Sequence, residues 1–228
     1  MDYMEVKMPR LRRIFILSFI IELAGFAIIS SLPIHNPALY SSFKSQDHAI
    51  VSQSFFPMWL SIFPHNLLIA TIEFIPVIGI LMFGFSIIST ASVIAVEGTA
   101  THINGFAIFA SLMMFPHSWL ELPAYAVAVS TSVYILYYLL TKKLKTNYMK
   151  IIYMYIFVVI ELAFAGAIET SEIILERSPH PLYSLYMWIP AVPIIIFLIW
   201  LYRRMDSDEY KSGKKKPEEP DLYDFNQF

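Results

Sequence analysis

The sequence predicts an all-α fold, a polytopic membrane helix bundle of about five to six transmembrane helices. Three observations predict it. Of the 228 residues, 57% are hydrophobic and only 15% charged, with a mean hydropathy of +0.59. A soluble domain sits near about 45–50% apolar and about 25% charged, so this chain lacks the polar residues to cover a water-facing surface, and lipid is the solvent that tolerates it. The apolar residues gather in runs close to the ~20 residues that a helix needs to span a bilayer. Basic residues are confined to the ends of those runs: between Arg13 and Lys142 the only Lys or Arg is Lys44.

The elements follow in order. Lys7, Arg10, Arg12 and Arg13 precede the apolar run 14–32, which is longer than a signal-peptide core and has no small-residue cleavage pattern after it. It is read as a retained first helix. Further helices are expected over 66–96, 106–116, 118–140, 151–174 and 187–202. The run 66–96 is weakened near Pro76 and Gly79, and 106–140 is interrupted by Pro116 and Pro123. Proline removes a helix N–H and clashes with the preceding turn, so a Pro-broken hairpin or re-entrant segment is expected within 106–140. The apolar stretch 54–63 looks too short to span and is assigned to the interface, where Trp and Phe are favoured. Residues 1–204 form one transmembrane domain, and 205–228, rich in Asp, Glu, Lys and Pro, read as a disordered cytosolic tail.

Charge sets the orientation. The clusters Arg10/Arg12/Arg13, Lys142/Lys143/Lys145/Lys150 and Arg203/Arg204 with Lys214–Lys216 belong on the cytoplasmic side of the cell membrane, so both termini are expected inside and the loop 33–64 outside. If 14–32 and 66–96 are two crossings, residues near Gly98 return to the inside. The segment 106–140 must then start and end there.

Composition also excludes functions. Without a basic face to neutralise phosphates, nucleic-acid binding is not expected. The absence of cysteine removes disulfides, thiolate metal sites and cysteine nucleophiles. No phosphate-binding glycine loop, G-x-S-x-G or H-E-x-x-H occurs, and no cofactor is expected.

The chemistry-bearing pattern is carboxylate without counter-charge. Glu22, Glu73, Glu121, Glu161 and Glu169 all fall inside apolar runs that hold no Lys or Arg. An ionised carboxylate in low dielectric either protonates or finds donors and cations, and ionisable groups at membrane depth are functional candidates. The blander alternative is a protonated Glu that bonds across helices and helps to assemble the bundle. Glu161 and Glu169, eight apart, are placed near one face of their helix, with Gly166 allowing close approach. His117 and Glu121 are four apart and share a helix face, with Pro116 where a helix starts and Pro123 where it bends. They suit a proton, anion or metal site, or a local His–Glu hydrogen bond that locks the turn. A metal would need a further ligand, for which His102, Glu73 or Glu169 are available.

The segment Pro116-His117-Ser118-Trp119-Leu120-Glu121-Leu122-Pro123-Ala124 resembles the signature of the stage II sporulation protein M family, whose members carry Pro-His-Gly running into Glu-Leu-Pro-Ala. The resemblance extends over about 66–170, through Asn66, Gly79, Gly84, Gly98 and Gly166-Ala167-Ile168-Glu169-Thr170. Ser118 stands where Gly is usual, and the stretch after Ala124 is less glycine-rich, which marks a divergent member. The Cys-free, Ile- and Tyr-rich composition is similar to that of an archaeal one. The resemblance implies a non-catalytic membrane scaffold or complex subunit, because sporulating members act with peptidoglycan-degrading proteins in a membrane assembly.

Three functions are therefore carried forward. The first is a scaffold or subunit with membrane-protein partners or with itself. The second is a transporter or channel for protons, ions or a small solute, built on carboxylates beside broken helices. The third is an intramembrane hydrolase using a metal held by His117 and Glu121. The bilayer is the common partner of all three.

Overall fold

A computed structural model describes the backbone of residues 11–141 and 144–212 and the side chains of 11–141 and 148–205. The elements run α1 (Leu11–Ser30), α2 (Pro37–Val51), α3 (Phe55–Glu73), α4 (Ile78–Thr101), α5 (Gly105–Leu112), α6 (Ser118–Leu140), α7 (Leu144–Glu176), a 3-10 segment (Pro181–Met187) and α8 (Trp188–Ser212). The fold is all-α, with no strand among the described residues. Six helices are long and apolar enough to cross a membrane: α1, α3, α4, α6, the part of α7 from Tyr148, and the stretch Pro181–Met205 leading through α8. Helices suit that solvent because each satisfies its own backbone hydrogen bonds.

The helix count agrees with the sequence-based expectation, but the assignment of spans does not. The run 66–96 is two helices, separated by a tight turn at 74–77, and the first of them starts eleven residues early, at Phe55. The stretch 54–63, expected in the interface, is the opening of spanning helix α3, which carries Pro64 inside it. Three spans, not two, therefore precede Gly98. The segment 106–140 holds one full crossing: α5 has 8 residues and rises only about 12 Å, far short of the ~30 Å hydrocarbon core. The Pro-broken turn is present at 113–117, while Pro123 lies inside α6 without ending it. At the other terminus, α8 runs on to Ser212, past the expected 204/205 boundary, because charged residues can extend a helix once it leaves lipid. Lys7, Arg10, Lys142, Lys143 and Lys214–Lys216 lie outside the described residues.

With six spans, the start of α1 and the end of α8 fall at the same end, and Phe15 packs against Tyr202 there with ring centroids 5.5 Å apart. Arg12, Arg13, Arg203 and Arg204 mark this basic end. The turns 31–36 and 102–104, α2 and the 3-10 segment lie at the far end. Lys44 of α2 pairs with Glu97 near the end of α4 at 2.5 Å, and this hydrogen bond holds the Lys44 ammonium above its ordinary range. At that end Gly98 and Gly105 face each other. A Cβ on Gly98 would come within 2.7 Å of Gly105 backbone, and one on Gly105 within 2.1 Å of the Ser30 carbonyl, so α1, α4 and α5 meet there backbone to backbone.

Helix α6 is the axis, packing on α7, α1, α3 and α4. Its middle is built of small buried residues (Ala124, Ala126, Ala128, Ser130, Thr131 and Ser132 among them), which let neighbouring helices approach closely. Ser130 and Thr131 return their hydroxyls to carbonyls one turn back. Ser132 instead donates across to the Ile75 carbonyl at 2.9 Å, fastening the α3–α4 turn to the axis.

That turn is strained. Val77 sits at φ 70, ψ −58, with the Ile78 N–H donating to the Pro76 carbonyl at 2.8 Å. This is the rare hand of the γ-turn, in a region where β-branched residues are outliers. Holding a residue there costs about 1–3 kcal/mol. Val77 is half exposed, so glycine would lose little packing and add under about 1 kcal/mol of unfolded-state entropy. Val77→Gly should therefore stabilise the protein by about 1 kcal/mol, read as a higher midpoint of unfolding in detergent.

Candidate functional site

The elements described above leave a chamber of about 410 Å3 in the interior, walled by α1, α3, α4, α5, α6 and α7. One liquid water occupies ~30 Å3, so the space admits water or a small solute. Polar side chains come from every one of these helices but α5, which supplies Phe109 and Leu112. Glu22 comes from α1, His65 and Glu73 from α3, and Ser86 and Thr90 from α4. His117, Ser118, Glu121 and Tyr125 come from the start of α6, and Glu169 from α7. Among the described residues no Lys or Arg lines the space.

The carboxyl groups are within electrostatic reach of one another. Glu22 feels Glu73 and Glu121, while Glu121 also feels His117 and His65. Their hydrogen bonding is incomplete. Tyr125 donates to Glu121 Oε1 at 3.1 Å. Among the described residues neither oxygen of Glu73 has a partner, nor do Oε2 of Glu22 and Oε2 of Glu169. Ser86 lies beside Glu73, but its single proton goes to the Met82 carbonyl at 2.9 Å. Buried acceptors left in this condition are costly, and a cation or proton is what they accept.

His117, just ahead of α6, is held from both sides. Its Nδ1 pairs with Glu172 Oε2 of α7. Its Nε2 lies 3.3 Å from Ser118 Oγ, whose own proton goes to the Leu112 carbonyl at 2.9 Å. Ser118 Oγ is thereby left as an acceptor on that side, and His117 Nδ1 and the Glu172 carboxyl form one hydrogen bond. The local His117–Glu121 bond expected from their spacing is not formed. Glu121 faces Tyr125, one turn further on, and the two residues share the chamber instead. Pro116 is fully buried in the turn, where its ring fixes the entry to α6.

Of the five carboxylates picked out by sequence, Glu22, Glu73, Glu121 and Glu169 meet in the chamber, and Glu161 does not. Eight residues advance a helix face by about 80° beyond two full turns, enough to aim Glu161 into a different cavity rather than beside Glu169. Gly166 does serve close packing, since a Cβ there would stand 3.3 Å from Phe63 of α3. Sequence reasoning missed Glu172, His65 and Tyr125. Glu172 was detectable, because it follows Glu169 by three and so shares its face. The remote ligand candidate His102 caps α4 at the far end and does not line the chamber. Among the described residues no three His, Asp or Glu side chains are arranged to hold a metal ion, which leaves the hydrolase reading without its third ligand.

The chain matches no protein-family model, no curated protein and no solved structure.

Proposed function

We propose that this protein is an integral membrane carrier or channel that takes protons or a small cation into the acidic chamber. One observation carries the reading: carboxyl groups from α1, α3, α6 and α7 converge on one interior cavity that no Lys or Arg lines among the described residues. Carboxylates facing a cavity at membrane depth, beside short or broken helices, are how ion pathways are built. The basic end, with Arg12, Arg13, Arg203 and Arg204, lies in the cytoplasm by the bias of Lys and Arg toward that side. The His117 turn then faces outward and receives the ion, and the row from Glu169 and Glu121 to Glu73 passes it inward.

The test is uptake into proteoliposomes, with internal pH and internal Na+ or K+ followed by dyes under an imposed gradient. Glu121→Gln keeps the shape and the Tyr125 hydroxyl partner but removes the charge. It should lower the protein-dependent rate at least tenfold, the ~1.4 kcal/mol that a lost favourable charge contact represents. An unchanged rate sinks the proposal.

A second reading rests on the segment from Pro116 to Ala124, which is similar to the stage II sporulation protein M signature. On that reading the chain is a subunit of a membrane complex, and the motif builds the turn between α5 and α6 against which a partner's assembly depends. Tagged protein drawn from its native membrane in mild detergent would then bring a stoichiometric partner with it. A protein that emerges alone or only with itself speaks for the carrier.

A further inference from the structure

A second cavity, of about 650 Å3, lies on the opposite flank of α6 from the chamber. It is a slot between α1, α6 and α8, floored by α7. Helix α8 packs chiefly on α7 and meets α1 through the Phe15–Tyr202 ring contact near the basic end, and the gap it leaves along α1 and α6 is the slot. Its walls are apolar, with Phe15, Phe19, Val127, Ile195 and Ile199 prominent. Its two ends differ. At the basic end Arg12 and Arg203 both line it. At the far end stand the indoles of Trp119 and Trp188. These are tied to one turn, Trp119 Nε1 donating to the Met113 carbonyl and Trp188 Nε1 to the Met114 carbonyl, each at 2.9 Å.

We propose that this slot is a specific binding site for one anionic phospholipid, with its phosphate between Arg12 and Arg203 and an acyl chain running along α8 toward the two indoles. Charge complementarity decides the occupant. An apolar seam alone would take any lipid, but two guanidiniums from different helices at one mouth select a phosphate. Length agrees: from Trp188 to Arg203, α8 rises about 22 Å, more than the ~15 Å that half a hydrocarbon core requires, so an acyl chain fits within it. Glu161 adds a second mark. It lines the slot from α7, one turn beyond Phe157, which meets Tyr202 edge to face beside Arg203, with ring centroids 5.7 Å apart. Its Oε2 has no partner among the described residues. One helical turn below the arginines is where the glycerol backbone of a lipid bound by its phosphate would lie. The far end of the slot also shares the 113–117 turn with His117, so a lipid there braces the chamber wall from behind.

Native mass spectrometry of the full chain, released from mixed micelles containing phosphatidylglycerol and phosphatidylcholine, tests this. The wild type should keep one phosphatidylglycerol and not phosphatidylcholine. The Arg12→Gln/Arg203→Gln pair should bind it about 30-fold more weakly, from about 1 kcal/mol for each arginine at such a surface. Ile199→Trp, a lipid-exposed position lining the slot, should block the acyl chain and lose the lipid with both arginines intact. Arg13→Gln, at the same end but outside the slot, should bind within about threefold of wild type. Equal retention of the two lipids overturns the proposal. So does an Arg13→Gln loss as large as the pair's, unchanged binding in Ile199→Trp, or a lipid-free dimer in which a second copy fills the slot. Lipid-free melting of each variant confirms that the fold is intact before binding is compared.

Discussion

Replacing His117 with alanine should cost the folded bundle about 3–5 kcal/mol, the loss seen when one partner of a buried pair is removed. The loss would be read as a fall in resistance to unfolding by a denaturing detergent. The size follows from what is stranded. The Glu172 side chain is 3% exposed, its Oε2 is taken by His117 Nδ1, and its Oε1 has no other partner. With the imidazole gone, neither oxygen retains a partner among the described residues. A plain interhelical hydrogen bond in a bilayer is worth far less, averaging about 0.6 kcal/mol. The two magnitudes separate two accounts of the contact. His117→Ala combined with Glu172→Leu should recover most of the loss, because the orphaned carboxyl leaves with its partner. If instead the single effects are small and add, the pair is an ordinary hydrogen bond and the turn is held by packing of Pro116 alone.

The sequence made much of this pair visible, and the reason it stopped short is physical. Periodicity and Pro placement locate the turn at 113–117 and the helix that follows. They put His117 and Glu121 on one face, and the structure does put both on the chamber. What spacing cannot show is which of several carboxyls on other helices reaches the imidazole first. Glu172 also lies within the expected helix 151–174, three residues after Glu169, but spacing alone gives no sign that it reaches across to another helix. The same limit explains α3. Pro57, Pro64 and His65 interrupt its apolar run, and a window tuned to continuous hydropathy starts the helix after them, at Asn66. Yet Pro64 is accommodated inside α3, and His65 and Asn66 turn toward the chamber instead of lipid. Polar residues that face an interior cavity look, in sequence, like the end of a span. One missed span reversed the parity from α4 to the start of α6, while the even total kept both ends of the bundle together.

The four chamber carboxylates were legible for a different reason. Each is isolated in an apolar run with no counter-charge, a pattern that needs no partner to be seen. Their convergence was not legible, since it depends on α6 being thin. Alanine and serine at 124–132 bring α1, α3 and α7 near enough for Glu22, Glu73 and Glu169 to share a cavity with Glu121.

Gly79→Ala should be the most damaging glycine substitution in the protein, at about 3 kcal/mol or more, and should remove transport with it. A Cβ on Gly79 would stand 1.9 Å from the Glu73 carbonyl oxygen and 2.6 Å from its carbon. These are backbone atoms, so no rotamer change relieves the overlap and the 74–77 turn must open. Opening it breaks the Gly79 N–H bond to the Ile75 carbonyl at 2.6 Å and draws Ile75 away from Ser132. Ordinary overpacking of a core costs about 1–3 kcal/mol, and the lost hydrogen bonds add about 1 kcal/mol each. Glu73 is the last residue of α3, so any shift of the turn also withdraws its carboxyl from the chamber. Gly84 supplies the control, because a Cβ there meets nothing within 4 Å. Gly84→Ala, one and a half turns further along the same helix, should gain up to about 1 kcal/mol from helix propensity alone. Opposite signs for the two substitutions, with uptake lost only in Gly79→Ala, would tie the geometry of the α3–α4 turn to the acidic chamber. Equal effects would mean that the turn yields to a methyl group, and that Glu73 is not held in place by it.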